Sequence, residues 1–247
     1  MNLRGLTDYS QPLVAAATVL SFGFVLSVGL GAYAAYKVKL SANIVEVTGS
    51  AKESVVADYA RLTIGLETKT GFNDQQAGLE RLERASENIV KYLEGVGLSE
   101  VETPAPVVNT EYTYPERSSP ILTGYSVRRE IVLRSADVDK VSDVAENVAP
   151  LLGPGYTVTT RGIELTYQNL PEMRVKLLSG AIKDAHARAE AIAKETGRSV
   201  GALKSATGGV VQVLPQGGVE ISDYGSYDTE SKNKDVMVTV RASFILN

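Results

Sequence analysis

The chain has 247 residues, a formal net charge of −4, one histidine and no cysteine. The missing thiols exclude disulfides, thiol nucleophiles and thiolate metal sites, and a lone histidine leaves a zinc site or catalytic triad little to draw on. No long basic run is present, so nucleic-acid binding lacks electrostatic support, while a hydrophobic fraction of 44% is ordinary for a globular chain.

After an N-terminal tail, 1–12, the segment 13–36 carries no charge. At about 1.5 Å per residue it exceeds the roughly 30 Å hydrocarbon core, so it reads as a transmembrane helix or signal anchor contacting lipid. Tyr33, Tyr36, Lys37 and Lys39 suit an interfacial flank. Ala32-Tyr33-Ala34 also fits a signal-peptidase site, but the apolar run is long for a signal and Arg4 is the only cation before it. Gly23, Ser27, Gly31 and Ala35 recur every four residues and place small side chains on one helix face, a pattern that lets membrane helices pack closely. Residues 37–43 read as a linker, and 44–247 as one composite domain.

Ile44 to Gly49 alternates as a strand should, and Tyr59 to Lys69 alternates again around Leu62, Ile64 and Leu66. A helix starts at Asn73 or Asp74, carries Leu79, Leu82, Ile89 and Leu93, and stops at Gly95 or Gly97. Strands are expected from Pro106 to Tyr114 and, after a polar turn at Pro115 to Pro120, from Thr123 to Ser135. Asp137 caps a helix expected to reach Leu152, Gly153-Pro154-Gly155 breaks the chain, and Tyr156 to Tyr167 is a strand. A long helix follows, with a capping box from Asn169 to Glu172 and a stop at Gly197. Met173, Leu177, Ala181, Ala185 and Ala189 form its buried stripe, widened by Ile182 and Ile192. Ser199 to Leu214 and Asp235 to Leu246 are the last strands, around a polar loop from Pro215 to Lys234. The expected class is α+β: an antiparallel-rich sheet packed with about three helices, preceded by one transmembrane helix.

No catalytic constellation stands out, and an enzyme is not expected. His186 has no His or Cys partner. Gly208-Gly209 and Gly217-Gly218 lack the spacing of a phosphate loop, and no serine sits in a nucleophile elbow. Asp223, Asp228, Glu230 and Asp235 make an oxygen-rich loop, but the spacing fits no EF-hand and Lys232 and Lys234 dilute its charge, so no metal or other cofactor is expected. Arg128, Arg129 and Arg134 read as a solvated sheet face or as a partner contact, and Tyr224 and Tyr227 as a second candidate contact.

The long helix resembles the signature helix of the SIMPL domain family, of the form DAxxRAExIAKxxGRxxGxL. Asp184, Ala185, Arg188, Ala189, Ala193, Gly197, Gly201 and Leu203 fall on that pattern. The opening VEVTGSAKESVVADYARLTIGLET is similar to the family's first strand pair at Gly49, Val56, Asp58, Ala60, Leu62, Gly65 and Glu67. It departs at Ala57, where the family has proline, and at Ala51, where it has glycine. Gly124-Tyr125 matches the family's GY strand. The resemblance implies a homo-oligomeric ring or cage scaffold in the bacterial envelope, with a link to stress defence, and it supplies no catalytic residue to carry over. Lys37 and Lys39 outnumber Arg4, which by charge alone would leave the domain inside. The resemblance implies the reverse, and the expectation follows it: a single-pass protein of the bacterial inner membrane whose domain faces the periplasm or exterior. An envelope module binding a small molecule or partner protein is the alternative.

Overall fold

A computed structural model of the protein describes the backbone of residues 10–115, 119–219, 222 and 224–247, and the side chains of these except 10–13 and 38–42. Arg4, Asp223, the side chain of Lys39 and the middle of the Pro115–Pro120 turn lie outside the described residues. The chain divides into two compact units, Met1–Gly49 with Ile182–Thr207 and Val240–Asn247, and Ser50–Ala181 with Gly208–Thr239. The divisions fall within four of the elements below.

The architecture is α+β, with two separate sheets. An N-terminal helix, α1 (Ser10–Ala42), is followed by β1 (Ile44–Val56), β2 (Tyr59–Thr70), α2 (Gln75–Gly95), β3 (Val101–Glu102), β4 (Val107–Thr113), β5 (Ile121–Ser135) and α3 (Val138–Glu146). A 3-10 turn at Ala149–Leu151 leads to β6 (Thr157–Thr166), α4 (Leu170–Glu195), β7 (Val200–Pro215) and β8 (Asn233–Leu246). One sheet has the order β1-β8-β7, and the other β3-β5-β2-β6 with β4 also on β5. The stretch 37–43 expected as a linker is helical as far as Ala42. Nothing in its sequence breaks a helix before Asn43.

The second unit holds the larger core. On β2, Ala60, Leu62, Ile64 and Leu66 point to one face, and Val127, Ile131 and Leu133 of β5 join them. Leu82, Ile89 and Leu93 of α2 and Val138, Val141 and Val144 of α3 close over that face. β2 and β5 pair antiparallel without a break from Ala60↔Ser135 to Thr70↔Tyr125. A smaller cluster gathers Met173 and Leu177 of α4 on Val213, Val236 and Val238, and Gly180 lets α4 approach Ala51 closely.

Local signals set most helix ends. The Asp137 carboxylate accepts from the Lys140 N–H at 3.2 Å and starts α3. That helix stops at Glu146 and not at Leu152, because a helical Pro150 would clash with the Glu146 carbonyl four residues back; Asn147 leaves helical geometry at φ −110°. At Asn169 the expected capping box becomes a side-chain pair, with the Asn169 amide donating to the Glu172 carboxylate at 2.8 Å. The end of α4 is a Schellman turn. Gly197 sits at φ 70°, its N–H bonds the Lys194 carbonyl, and the Arg198 N–H bonds the Ala193 carbonyl.

In the first unit Ala185, Ala189 and Ala193 of α4 are buried, as are Val45 and Val47 of β1 and Val240, Ala242 and Phe244 of β8. Ile192 does not widen the buried stripe: it is 47% exposed, one position short of Ala193 on the four-residue repeat.

Candidate functional site

The N-terminal helix is long and apolar enough to cross a membrane over Val14–Lys37, and none of that stretch is buried. By length and composition a signal sequence would pass the same test. The hydroxyls of Thr18, Ser21 and Ser27 donate back to carbonyls of the preceding turn, so they need no water in a lipid setting. Gly23, Ser27, Gly31 and Ala35 lie along one exposed face, and beyond the helix's own backbone no described atom stands within 4 Å of a Cβ placed at Gly23 or Gly31. Lys37 Nζ lies 5.5 Å from the centroid of the Tyr33 ring, binding the two interfacial residues to each other.

The three arginines of β5 do not form one site. Strand alternation puts Arg129 on the face under α2, where it meets Glu83 at 2.5 Å with its side chain 11% exposed. Arg128 and Arg134 lie on the opposite face, pairing with Glu67 at 3.1 Å and Glu102 at 2.8 Å. The hydrogen bond that Arg128 donates to Glu67 raises the guanidinium pKa. Arg61–Glu164 and Arg161–Glu130, both at 3.3 Å, continue the lattice across that open face. Each arginine of the candidate contact is therefore compensated by a carboxylate of this chain, and all three partners are distant in sequence.

The two tyrosines also separate. Tyr227 is tied in: its hydroxyl accepts from the Tyr167 N–H at 3.2 Å, and its backbone bridges Val213. Tyr224 is 97% exposed. It borders an open groove of about 630 Å³ with Leu170, Pro171 and Arg174 of α4 and Val210 and Val211 of β7. Sequence reading missed Arg174 and Val210 in this place, since α4 and β7 approach each other only in the fold.

The oxygen-rich loop is held by two adjacent residues. Lys234, read from sequence as diluting the loop's charge, is 0% exposed at its side chain. Its ammonium donates to the Asp228 carbonyl at 2.6 Å and to the Asp228 carboxylate at 3.0 Å. Burial pushes the Asp228 pKa up, but bonds from the Glu230 N–H, Lys234 and the Ser231 N–H outweigh it and hold the group below the usual range. Asp235 accepts from the Ser54 hydroxyl at 2.6 Å, the Gly217 N–H at 2.9 Å and the Lys52 ammonium at 2.9 Å. These carboxylates are committed to protein donors, and no cluster of metal-ligating side chains occurs among the described residues.

The Ser54, Gly217 and Lys52 bonds lower the Asp235 pKa to about 2. A depressed folded pKa contributes stability that is present above the unfolded pKa and lost as the folded group protonates. Stability should therefore fall as pH drops from about 4 toward about 2, and Asp235→Asn should flatten that part of the curve. Urea unfolding across this window checks the sign.

Two further sequence-selected residues have structural work. Asp58 accepts from the Gln168 N–H at 2.8 Å, joining the β1–β2 turn to the start of α4. His186 stands edge-on to Phe244 at 5.3 Å and 3.6 Å from Glu190.

Among solved structures, the chain is similar to an uncharacterized conserved protein from Listeria innocua, at 13% identity over 76% of this chain and 91% of that one. The TM-score is 0.21, too low to bear on the fold. No curated protein matches the chain. The SIMPL family model, described as a protein of unknown function (DUF541), matches residues 45–244. That match runs from β1 to β8 and takes in both sheets, α2, α3 and α4, so the chain belongs to the SIMPL family.

Proposed function

We propose that this protein is a non-catalytic scaffold of the bacterial envelope, anchored in the inner membrane by α1, with its domain on the periplasmic side and assembled as a homo-oligomeric ring or cage. The observation that carries the reading is the edge of β7. This strand ends the β1-β8-β7 order, and every side chain from Ala202 to Val210 is exposed. An outer row of N–H and C=O groups there is a template for another chain. The stretch has one charge, Lys204, and no proline before Pro215, so it lacks the usual devices that blunt an edge. Packing through Gly23, Ser27, Gly31 and Ala35 would add to assembly by bringing the anchors together. A role in stress defence is supported only by the family resemblance.

Particle mass in mild detergent tests the reading, with the full-length chain beside one beginning at Asn43. Large particles of both, lost on Leu203→Lys with Ser205→Lys, are the expected result. Large particles of the full-length chain alone would make α1 the organiser. Monomers of both would overturn the scaffold.

The Tyr224 groove favours a second reading, an envelope module binding a partner protein or small molecule. Tyr224→Ala with Arg174→Glu would then abolish ligand capture while leaving particle mass unchanged.

A further inference from the structure

We propose that the turn closing α4, with Lys194 and Arg198, is a docking tip for the anionic phospholipid headgroups of the bilayer that α1 crosses. The inference rests on the reading of α1 as a retained anchor.

Within the first unit, the residue that leaves α1 is bonded to this turn. The Asn43 side-chain oxygen accepts from the Arg198 guanidinium at 3.2 Å, and the Asn43 carbonyl accepts from the Leu246 N–H at 2.9 Å. Ser199 and Asn247 exchange backbone bonds at 3.3 and 2.9 Å beside them. The turn is therefore fixed at the point where the chain emerges from the helix.

Length places that point. Lys37 ends the apolar span, and the six residues from there to Asn43 rise about 9 Å as helix. The headgroup layer on each side of a bilayer is roughly 5–7 Å deep. A guanidinium on Asn43 thus sits at the outer boundary of that layer, and a long side chain reaches the phosphates from there.

Charge points the same way. Lys194 and Arg198 are both exposed, and neither has a carboxylate partner among the described residues; Glu195 stands between them. The first unit carries nine Lys and Arg against five Asp and Glu, and the second sixteen against twenty-four. In a chain of net charge −4, the positive balance is confined to the unit that contains α1. Arginine's planar fork suits a phosphodiester, and basic groups beside an anionic leaflet are drawn to it over a Debye length.

The absence of cysteine makes the test clean. Ser199→Cys in the full-length protein carries a single fluorophore next to Arg198. The protein is placed in vesicles of phosphatidylcholine alone or mixed with phosphatidylglycerol, each with a headgroup-attached quencher. Quenching should rise with phosphatidylglycerol and collapse at high salt. The ratio of docked to undocked protein read from the quenching should also fall about fivefold for each charge removed by Lys194→Gln or Arg198→Gln. Arg198→Gln also alters the bond to Asn43, whereas Lys194 makes no such bond, so loss with both variants assigns the effect to charge. Quenching that ignores lipid charge, or that survives both substitutions, overturns the docking tip. A carbonate wash separates the two readings. Protein that stays in the membrane but ignores lipid charge loses the tip and keeps the anchor, and protein that washes off both vesicle types loses both.

Discussion

Replacing Asp228 by alanine should cost the domain about 3–5 kcal/mol, because it leaves a buried ammonium without its counter-charge. Lys234 is 0% exposed at its side chain, and the Asp228 carboxylate, 11% exposed, is its ion-pair partner at 3.0 Å. The Asp228 carbonyl remains in the variant but carries no full charge. The Glu230 and Ser231 N–H groups lose their acceptor as well, so the loop entering β8 loosens. For a domain of this size that corresponds to a fall of about 10 °C in melting temperature, readable by thermal unfolding in detergent. Lys234→Met together with Asp228→Ala should recover most of the loss, since an apolar side chain of similar length needs no partner. A single Asp228→Ala variant that melts with the parent would show that Lys234 finds water or another acceptor.

Gly124→Ala should be the most damaging glycine substitution in the sheet, at about 3 kcal/mol or more. Gly124 lies at φ 156°, and a Cβ there would run into the Thr70 carbonyl oxygen of β2. The oxygen belongs to the backbone of Thr70, registered opposite Tyr125 at the end of the β2–β5 ladder, and the Cβ position is fixed by the Gly124 backbone, which pairs with Glu111 of β4, so neither can rotate away. Gly95→Ala is the control: beyond the helix's own backbone, no described atom stands within 4 Å of a Cβ at the end of α2. That variant should be neutral or slightly stabilising, as alanine is the better helix former. Denaturant midpoints of the two variants decide the comparison. Equal midpoints would mean that β2 can yield at Thr70 without loss.

The GY pair on β5 thus has a physical cause that its sequence could not supply. The resemblance marked Gly124, but the reason for glycine is a carbonyl more than fifty residues earlier. The same limit separates the candidate contacts. Arg128, Arg129 and Arg134 are close in sequence, and strand alternation alone sends Arg129 to the other face. Their acceptors Glu67, Glu83 and Glu102 come from β2, α2 and β3, so compensation of the patch appears only after the sheet is assembled. Tyr224 and Tyr227 looked equivalent in a polar loop. A backbone bridge to Val213 ties down one and leaves the other at 97% exposure.

Features that depend on neighbours a few residues apart were legible in the chain alone. The uncharged stretch before Lys37 specified α1, the four-residue repeat from Met173 to Ala189 specified the buried face of α4, and Asp137 and Gly197 specified helix ends. Alternation gave the buried rows of β2 and β5. The α+β class follows from the order of those elements, and the motifs along them placed the chain in its family. Tertiary structure decided the division into two sheets, the exposed edge of β7, the bond between Arg198 and Asn43, and the burial of Lys234. Each of these joins groups from separate elements, and their energies depend on which charges and backbone groups lose water together. A lysine flanked by Asn233 and Asp235 reads as a solvated cation until the fold encloses it.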